Sequence, residues 1–338
     1  MKKSFFVFVA DLCAVTAAVI GAGFATGQEI LLYFKNANPF VAAACCFALF
    51  FVFLRAGTEF GATLCEEKKS AKLFNFFYRA SVAVSCFVVL CAMAGGAQTN
   101  ADIVAGKSGG VPFAKLFTLL FCMIFCCFDF KNQKKVYFIL APVMVGGILA
   151  VCFADKNFDF SGTVAKGAVN SLFYVSLNTV SLAGILCDLS KNYSKKQKNV
   201  FCLACGAILS TLIFLIIAKV NASESKIAPL VDLAAKNAVR GKTYGVVVTA
   251  SIMTTMCASA YPLIRELNAK IKNRFVCSLT VFCAAFAASF AGFKNIVNYL
   301  YPLVSAVGIF FAAYFAFDCI KNAKRSRVKA TKCEFKKT

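Results

Sequence analysis

The sequence predicts an all-α polytopic membrane protein of about ten transmembrane helices, arranged as a 5+5 inverted repeat with the first helix broken at Gly21–Gly27. Three observations lead to this fold class. Hydrophobic residues make up 60% of the chain and the mean hydropathy is +0.75, far above the values of a soluble domain. Apolar runs of about 20 residues recur from end to end. Basic residues alternate between successive loops, as the positive-inside rule describes.

Ten apolar runs are long enough to span a bilayer. Short charged loops separate most of them and leave no room for a soluble domain. The sixth and eighth runs have the least defined ends, because polar residues dilute them. The predicted spans are Phe5–Phe34, Pro39–Leu64, Ala80–Ile103, Val111–Phe128, Val136–Ala154, Ala165–Leu186, Val200–Val220, Tyr244–Leu263, Phe275–Phe293 and Ile296–Phe317.

The charge distribution predicts the orientation of the chain. A net charge of +22 would suggest nucleic acid for a soluble protein, but here the Lys and Arg residues concentrate in every second loop. We therefore expect no nucleic-acid partner, and a multi-pass protein of the bacterial plasma (inner) membrane with both termini cytoplasmic. A cleaved signal peptide is the minor alternative, although Asp11 interrupts the apolar stretch that follows Lys3.

Cysteine and histidine usage argues against metal, cofactor or catalytic chemistry. The chain has 18 cysteines and no histidine, and most of the cysteines lie within the apolar spans, where cysteine is a small packing residue. No nucleophile and base pair suggests itself for catalysis. We expect no enzyme activity, no catalytic residues, no cofactor and no metal other than possible sodium.

The chain divides into two halves with five spans each. Residues 1–154 form the first predicted repeat and residues 155–320 the second. Because five is odd, the second repeat enters the membrane from the opposite side, as in inverted-repeat transporters. Within it, residues 223–240 have apolar positions at helical spacing and predict an outer amphipathic helix, either a lid or an interfacial helix. Residues 321–338 form a basic cytoplasmic tail.

Glycines and polar residues interrupt the first span in the stretch VIGAGFATGQEI. Gly21, Gly23 and Gly27 can take unusual dihedral angles. A broken membrane helix leaves backbone groups without partners, which is tolerated only where the backbone is buried in protein or lines a wet cavity. Freed carbonyls can then bind a cation. The alternative is tight helix packing, because Gly23 and Gly27 also form a GxxxG motif.

Four motifs resemble those of a known family. GAGFATGQEI, starting at Gly21, resembles the signature of the YkvI family of bacterial membrane proteins, and MAGGAQ (Met93–Gln98), FYVSLN (Phe173–Asn178) and SIMTTMCAS (Ser251–Ser259) resemble its third, sixth and eighth spans. That family is distantly related to the amino acid–polyamine–cation transporters. The resemblance implies a LeuT-type fold and a transport function. It says less about which solute is transported.

The resemblance also implies a substrate site between the first and sixth spans. From its position after Gly95 and Gly96 on the third span, Gln98 is a further candidate for the same cavity. The sixth span has no glycine or proline at its centre, so whether it is unwound stays open. Its polar side chains can instead be satisfied within the bundle, and Gln98 can equally lie at the headgroups. The implied substrate-binding residues are Gly21, Ala22, Gly23, Phe24, Ala25, Thr26, Gln98, Tyr174, Ser176, Asn178 and Ser181.

A cation site is implied between the first and eighth spans. Many sodium-coupled relatives use eighth-span hydroxyls with first-span carbonyls, and here Ala22, Thr254, Thr255 and Ser259 are the corresponding candidates. The alternative is that these hydroxyls bond back to carbonyls of their own helix.

Three charged residues are candidates for gates or proton carriers. Arg55 and Glu59 are four residues apart on the second span and can pair on one helix face. Glu29 has no obvious sequence partner and is either an outer gate, a proton acceptor or a solvated residue at a helix end.

Together these features predict a secondary active transporter of a small organic solute, an amino acid or a related amine, working by alternating access in the lipid bilayer. Cation coupling is expected, with sodium preferred over a proton. The alternative is a non-transporting membrane receptor or a channel on the same fold. The sequence leaves the solute, the direction of transport, the stoichiometry and the oligomeric state open.

Overall fold

A computed structural model describes residues 5–65, 72–105, 113–128, 130–190, 193–225, 228–311 and 313–314. Within these ranges every extended element of regular structure is a helix, and β structure is limited to one isolated bridge between Ala37 and Thr163. The prediction of an all-α protein is confirmed. The predicted basic tail, residues 321–338, lies outside the described residues.

Seven helices form the described residues of the first part of the chain. The first predicted span is divided among three of them, and each of the next four predicted spans corresponds to one helix. These helices are α1 (Phe5–Val19), α2 (Ala22–Thr26), α3 (Gln28–Phe34), α4 (Pro39–Cys65), α5 (Lys72–Ala105), α6 (Phe113–Cys126) and α7 (Phe130–Phe153).

The described residues of the second part also contain seven α-helices, with a short 3-10 helix at Ser289–Ala291 between the last two. The last of them, α14, continues as a π-helical turn at Ile296–Leu300 and then as α-helix through residues 301–311. The helices are α8 (Val164–Ser181), α9 (Ala183–Ser190), α10 (Lys195–Asn221), α11 (Pro229–Ala235), α12 (Ala238–Ile271), α13 (Arg274–Ala288) and α14 (Phe293–Asn295).

Six of the described helical segments are long and apolar enough to cross a membrane: Pro39–Glu59, Phe76–Asp102, Asn132–Phe153, Lys195–Asn221, Ala238–Ile271 and Arg274–Ala291. Phe5–Val19 and Phe113–Cys126 are shorter apolar helices. The first predicted span contains no single helix of that length, because it is broken. It consists of α1, α2 and α3, one after the other. The division into repeats at residues 154 and 155 stays a prediction.

Helix α12 lies at the centre of the packing. It contacts α5 most extensively, and also α1, α2, α6, α7, α11 and α13. A second group of helices consists of α4 with α8, α9 and α10. Because α1 contacts both α12 and α10, the broken first span lies between the two groups.

The outer helix, α11, is shorter than the predicted segment 223–240. It begins at Pro229, a favoured first residue of a helix, and packs against α12, α10, α7 and α2. Lys236, just after α11, forms a 3.1 Å ion pair with Asp155. A hydrogen bond from the Asn157 backbone N–H, together with Lys236, holds the pKa of Asp155 below its usual range. The ion pair therefore ties the end of α11 to the loop after α7.

Two adjacent glycines of α7 allow a test of how closely α7 packs on α12. A Cβ at Gly147 would lie 2.7 Å from Cγ2 of Val247, whereas a Cβ at Gly146 would have no atom within 4 Å. We expect Gly147→Ala to lower the free energy of unfolding by about 1–3 kcal/mol through overpacking. Gly146→Ala should be neutral or stabilise by up to about 1 kcal/mol. Thermal melts of both variants in detergent measure the difference, and equal effects would contradict the packing.

Candidate functional site

The first span is broken at Gly21–Gly27, as predicted. Helix α1 ends at Val19, and Gly21 is extended, with φ −85° and ψ −172°. One short turn, α2, follows and ends at Gly27, which has φ +79° and donates its N–H to the Phe24 carbonyl. Glycine takes this left-handed conformation without the Cβ penalty of other residues. The chain then resumes as α3.

The break frees two carbonyls at the end of α1. In a continuous helix the carbonyls of Ala17 and Ala18 would accept hydrogen bonds from the N–H groups of Gly21 and Ala22. Instead, Gly21 donates to the Val19 carbonyl at 2.8 Å, and the Ala22 N–H points to Sδ of Met93 at 3.2 Å. The two α1 carbonyls are therefore available to side chains of other helices.

Two threonine hydroxyls of α12 face these carbonyls. Thr254 donates to the Ala17 carbonyl at 3.2 Å, and Thr255 donates to the Ala18 carbonyl at 3.2 Å. The Thr254 hydroxyl also lies 3.0 Å from the Ser251 carbonyl of its own helix. All of these groups are buried except Ala18, which is half-buried, and together they present five neutral oxygens at one place. Carbonyl and hydroxyl oxygens of this kind can hold a monovalent cation at a broken helix.

The other two cation candidates lie apart from these contacts. The N–H of Ala22 points to Sδ of Met93. The carbonyls beside the threonine hydroxyls belong to Ala17 and Ala18, five and four residues before Ala22. Ser259 is buried one turn beyond Thr255 on α12. A Cβ at Gly21 would lie 3.2 Å from Oγ1 of Thr255, so the glycine lets α12 approach the break closely.

The sixth span is interrupted at only one residue. Leu182 separates α8 from α9, keeps right-handed helical dihedrals and donates to the Asn178 carbonyl, and Leu186 in turn donates to Leu182. The side chains of Asn178 and Ser181 bond back to carbonyls of their own helix at 2.9 and 3.0 Å. These two residues thus follow the alternative expectation, in which the helix satisfies its own polar groups.

Tyr174 and Ser176 take part in contacts between helices. The Tyr174 ring is buried, with its centroid 5.6 Å from that of Tyr33 and 5.5 Å from that of Phe34. Ser176 donates to the Ser305 carbonyl at 3.0 Å, and the Ser305 hydroxyl lies 2.9 Å from that of Tyr33. The sequence analysis missed Tyr33 and Ser305. Tyr33 follows Glu29 by four residues, a spacing that places both on one face of a helix.

Glu29 is buried beside the break, with 5% of its surface exposed. Its side chain folds back over α2, so that a Cβ at Gly23 would lie 2.3 Å from both Cγ and Oε1 of Glu29. An isolated charge is costly in such a place unless it is paired or neutralised. A solvated position at a helix end, one of the three expectations for Glu29, is therefore excluded.

The remaining candidate side chains, Gln98 and the Arg55–Glu59 pair, form their contacts away from the break. Gln98 is half-buried and donates to Asp102 of its own helix at 2.7 Å. Arg55 forms a 2.5 Å ion pair with Glu59, as the spacing predicts, and its Nε donates to Asn199 of α10 at 2.6 Å. The pair thus joins α4 to the start of α10, which agrees with a structural role and leaves a gating role as a prediction.

Two clusters of a carboxylate, a tyrosine and a cation lie at the predicted cytoplasmic ends of the helices. Asp11 of α1 is 0% exposed, forms a 2.6 Å ion pair with Lys134 of α7 and accepts a 2.7 Å hydrogen bond from Tyr193. In the second cluster, Asp188 of α9 accepts hydrogen bonds from two residues of α12, Tyr261 and Arg265. The sequence analysis noted Asp11 only as an interruption of the first apolar stretch and found neither set of partners.

No protein-family model and no curated protein matches the sequence. Solved structures are similar at the level of the fold. MhsT in complex with L-phenylalanine has a TM-score of 0.68 and 11% identity, over 91% of this chain and 88% of that chain. A Na+-coupled sialic acid symporter in a substrate-bound outward-open state has 0.61 and 12%, over 89% and 77%. The Eremococcus coleocola manganese transporter has 0.61 and 12%, over 94% and 80%.

These similarities show that the chain has the LeuT-type fold of a multi-pass membrane protein. Membership of the YkvI family stays a prediction, as do the roles of the individual site residues.

The contact between Glu29 and Gly23 leads to a double-mutant test. Gly23→Ala forces the Glu29 side chain away from the break, and we expect a loss of about 1–3 kcal/mol in unfolding free energy. In a Glu29→Ala background most of this loss should disappear, since the clashing atoms are absent; contacting residues couple by about 0.5–3 kcal/mol. Thermal melts of the four proteins measure the coupling.

Gly96→Ala serves as the matched control for this cycle. Its added Cβ meets the Ala22 side chain at 3.1 Å and does not involve Glu29. Its cost should therefore be equal in both backgrounds. A Gly23→Ala effect that is just as independent of Glu29 would show that the carboxylate does not lie over α2.

Proposed function

We propose that the protein is a sodium-coupled secondary active transporter of a small organic solute, an amino acid or a related amine. The observation that carries the proposal is the contact between the freed Ala17 and Ala18 carbonyls of α1 and the Thr254 and Thr255 hydroxyls of α12. Secondary transporters use a broken membrane helix to bind ions and substrates near the bilayer midplane.

Sodium is favoured over a proton because the oxygens at this contact are neutral and none of them titrates. A sodium ion can exchange its hydration shell for such carbonyl and hydroxyl oxygens. The similar structures include a Na+-coupled symporter, which supports the same assignment. Glu29 is the competing site: a buried carboxyl group can carry a proton, and a proton-coupled mechanism would use it.

An amine-bearing solute suits the surroundings of Glu29. The carboxylate forms no ion pair in the part of the chain that the structure describes, so it can serve as counter-ion to a protonated amine. The rings of Tyr33 and Tyr174 lie in the same region, and aromatic faces attract organic cations. The phenylalanine in the MhsT complex is itself an amine-bearing solute.

The bound sodium would hold α1 against α12, because its ligands come from both helices. Helix α1 contacts both helix groups. Sodium bound between α1 and α12 would therefore keep α1 packed in place and the path to the predicted cytoplasmic side closed. Loss of the ion frees α1 to move away from α12 and opens the site to the predicted cytoplasmic side. This is alternating access around a fixed midplane site.

Sodium binding can be measured as stabilisation of the purified protein in detergent. A ligand at a hundredfold excess over its dissociation constant stabilises the folded state by about 2.7 kcal/mol. We expect sodium, but not potassium at equal ionic strength, to raise the melting temperature, and the double variant Thr254→Ala, Thr255→Ala to lose the rise.

Thr280→Ala is the control, because that exposed hydroxyl bonds only to the Val276 carbonyl of its own helix. It should keep the sodium response. A response that survives in the double variant would place the ion elsewhere. If sodium has no effect and Glu29→Gln abolishes a strong pH dependence, the proton is the coupling ion.

Transport itself is distinguished from a receptor or a channel in reconstituted vesicles. Amino acids and amines are screened for currents or uptake driven by an imposed sodium gradient. Accumulation of a solute against its own gradient supports the transporter. Specific binding without accumulation would favour the receptor, and flux that only equilibrates the solute would favour a channel.

The Asp11 cluster is expected to hold the inner end of α1 closed. Asp11→Asn replaces a charge-assisted contact with Lys134 by a weaker one, and such bonds contribute about 1.5–3 kcal/mol. We expect Cys13, a half-buried free thiol on α1, to react with a thiol reagent about tenfold faster or more in this variant. Mass spectrometry of the labelled peptides measures the rate.

Asp159→Asn is the matched control, since within the described part of the chain the Asp159 carboxylate accepts hydrogen bonds only from nearby Ser161 in the loop after α7. It should leave the labelling of Cys13 unchanged. Equal labelling in wild type and Asp11→Asn would show that this cluster does not govern access to α1.

A further inference from the structure

A long groove lies between α6 and α7 on the outside of the helix bundle. Both helices pack on α12, but they make few contacts with each other, so α12 forms the floor of the gap between them. The resulting α6–α7 groove has a volume of about 700 Å³. Its apolar lining includes Phe121, Phe125, Leu140, Val246, Ala250 and Met253.

The groove opens towards the surface that faces lipid. Phe121 and Val246 on its walls are 50% and 69% exposed. Neighbouring side chains on the outer faces of α6 and α7, such as Phe117 and Ile139, are also exposed and apolar. In a membrane-spanning chain such faces contact acyl chains, so the groove is open to a molecule that arrives from the bilayer.

The end of the groove near the start of α12 is polar. Lys242 is exposed there. One turn further in, Asn100 donates from its amide nitrogen to the Gly245 carbonyl at 3.2 Å and to Thr249 at 3.1 Å. The amide oxygen of Asn100 is buried, and in the described part of the chain it has no hydrogen-bond partner. The groove therefore offers one exposed cation, Lys242, at its polar end.

The length of the groove matches one leaflet of a membrane. It extends along α12 from Lys242 to Cys257, fifteen residues, which is about 22 Å at the rise of an α-helix. One leaflet of hydrocarbon is about 15 Å thick, and the rest of the length accommodates the glycerol and phosphate. The inner end is closed by Tyr137 and Cys257, both buried.

We infer that the α6–α7 groove binds an anionic glycerophospholipid of the outer leaflet. One acyl chain lies along α12 on the apolar walls, and the phosphate pairs with Lys242. A soluble anion would leave the apolar length of the groove unfilled. A zwitterionic choline lipid carries a cation that Lys242 repels.

The test is lipid titration of the purified full-length protein, read by thermal melting and by native mass spectrometry of bound lipid. Phosphatidylglycerol is compared with phosphatidylcholine and with inorganic phosphate alone. We expect phosphatidylglycerol to bind most tightly. Lys242→Gln should weaken its binding about fivefold, the effect of one basic residue near a membrane surface. Ala250→Phe should abolish binding by filling the groove, and Ala101→Phe is a second filling variant should the first not fold.

Two controls make the assignment specific. Lys166→Gln removes another exposed lysine on the same predicted side of the membrane and should change nothing. Tyr137→Phe removes only a buried hydroxyl at the inner end and should leave the binding of an acyl chain unchanged.

Three results would overturn the inference. The first is phosphatidylglycerol binding that persists in both Lys242→Gln and the filling variants. The second is equal stabilisation by inorganic phosphate, which would indicate an anion site without a lipid. The third is loss of binding in Tyr137→Phe, which would indicate a ligand with a polar group deep in the groove.

Discussion

The contact between the end of α1 and the middle of α12 is the constraint on which the rest of the structure depends. A helix that stops inside a membrane exposes carbonyls that have no water to bind. Here the hydroxyls of Thr254 and Thr255 take the place of water and donate hydrogen bonds to the Ala17 and Ala18 carbonyls at 3.2 Å. The two helices must therefore cross at the break, and the crossing requires side chains small enough for backbones to approach.

Glycines meet this requirement around the break. Gly21 lies against Thr255 and Met93, and Gly96 of α5 lies against Ala22. Gly95 fits under the backbone at Phe293, where the last span begins. Small residues at helix contacts are a general device of membrane proteins. In this chain they bring α5, α12 and the last span around α2, so that one short turn is enclosed on several sides.

Much of this arrangement can be predicted from the sequence. The glycine pattern with Gln28 and Glu29 marks the break, and the adjacent hydroxyls of Thr254 and Thr255 mark its partner, because both patterns are local. The Asp11, Lys134 and Tyr193 cluster cannot be found in this way, since its members are 123 and 182 residues apart along the chain. The folding of Glu29 over Gly23 depends on a side-chain direction that spacing does not determine. The polar residues of the sixth span show a further limit, since a sequence does not say whether a serine or asparagine bonds to its own helix or to a neighbour.

The neutrality of the oxygens around Thr254 and Thr255 has an electrical consequence. None of the five oxygens at this contact is charged, so a sodium ion bound among them would give the site a net positive charge within the membrane. Moving such a charge across the bilayer changes the free energy by about 2.3 kcal/mol per 100 mV. The voltage across the cell membrane would then act directly on the step that moves the ion, as a driving force in addition to the ion's concentration gradient.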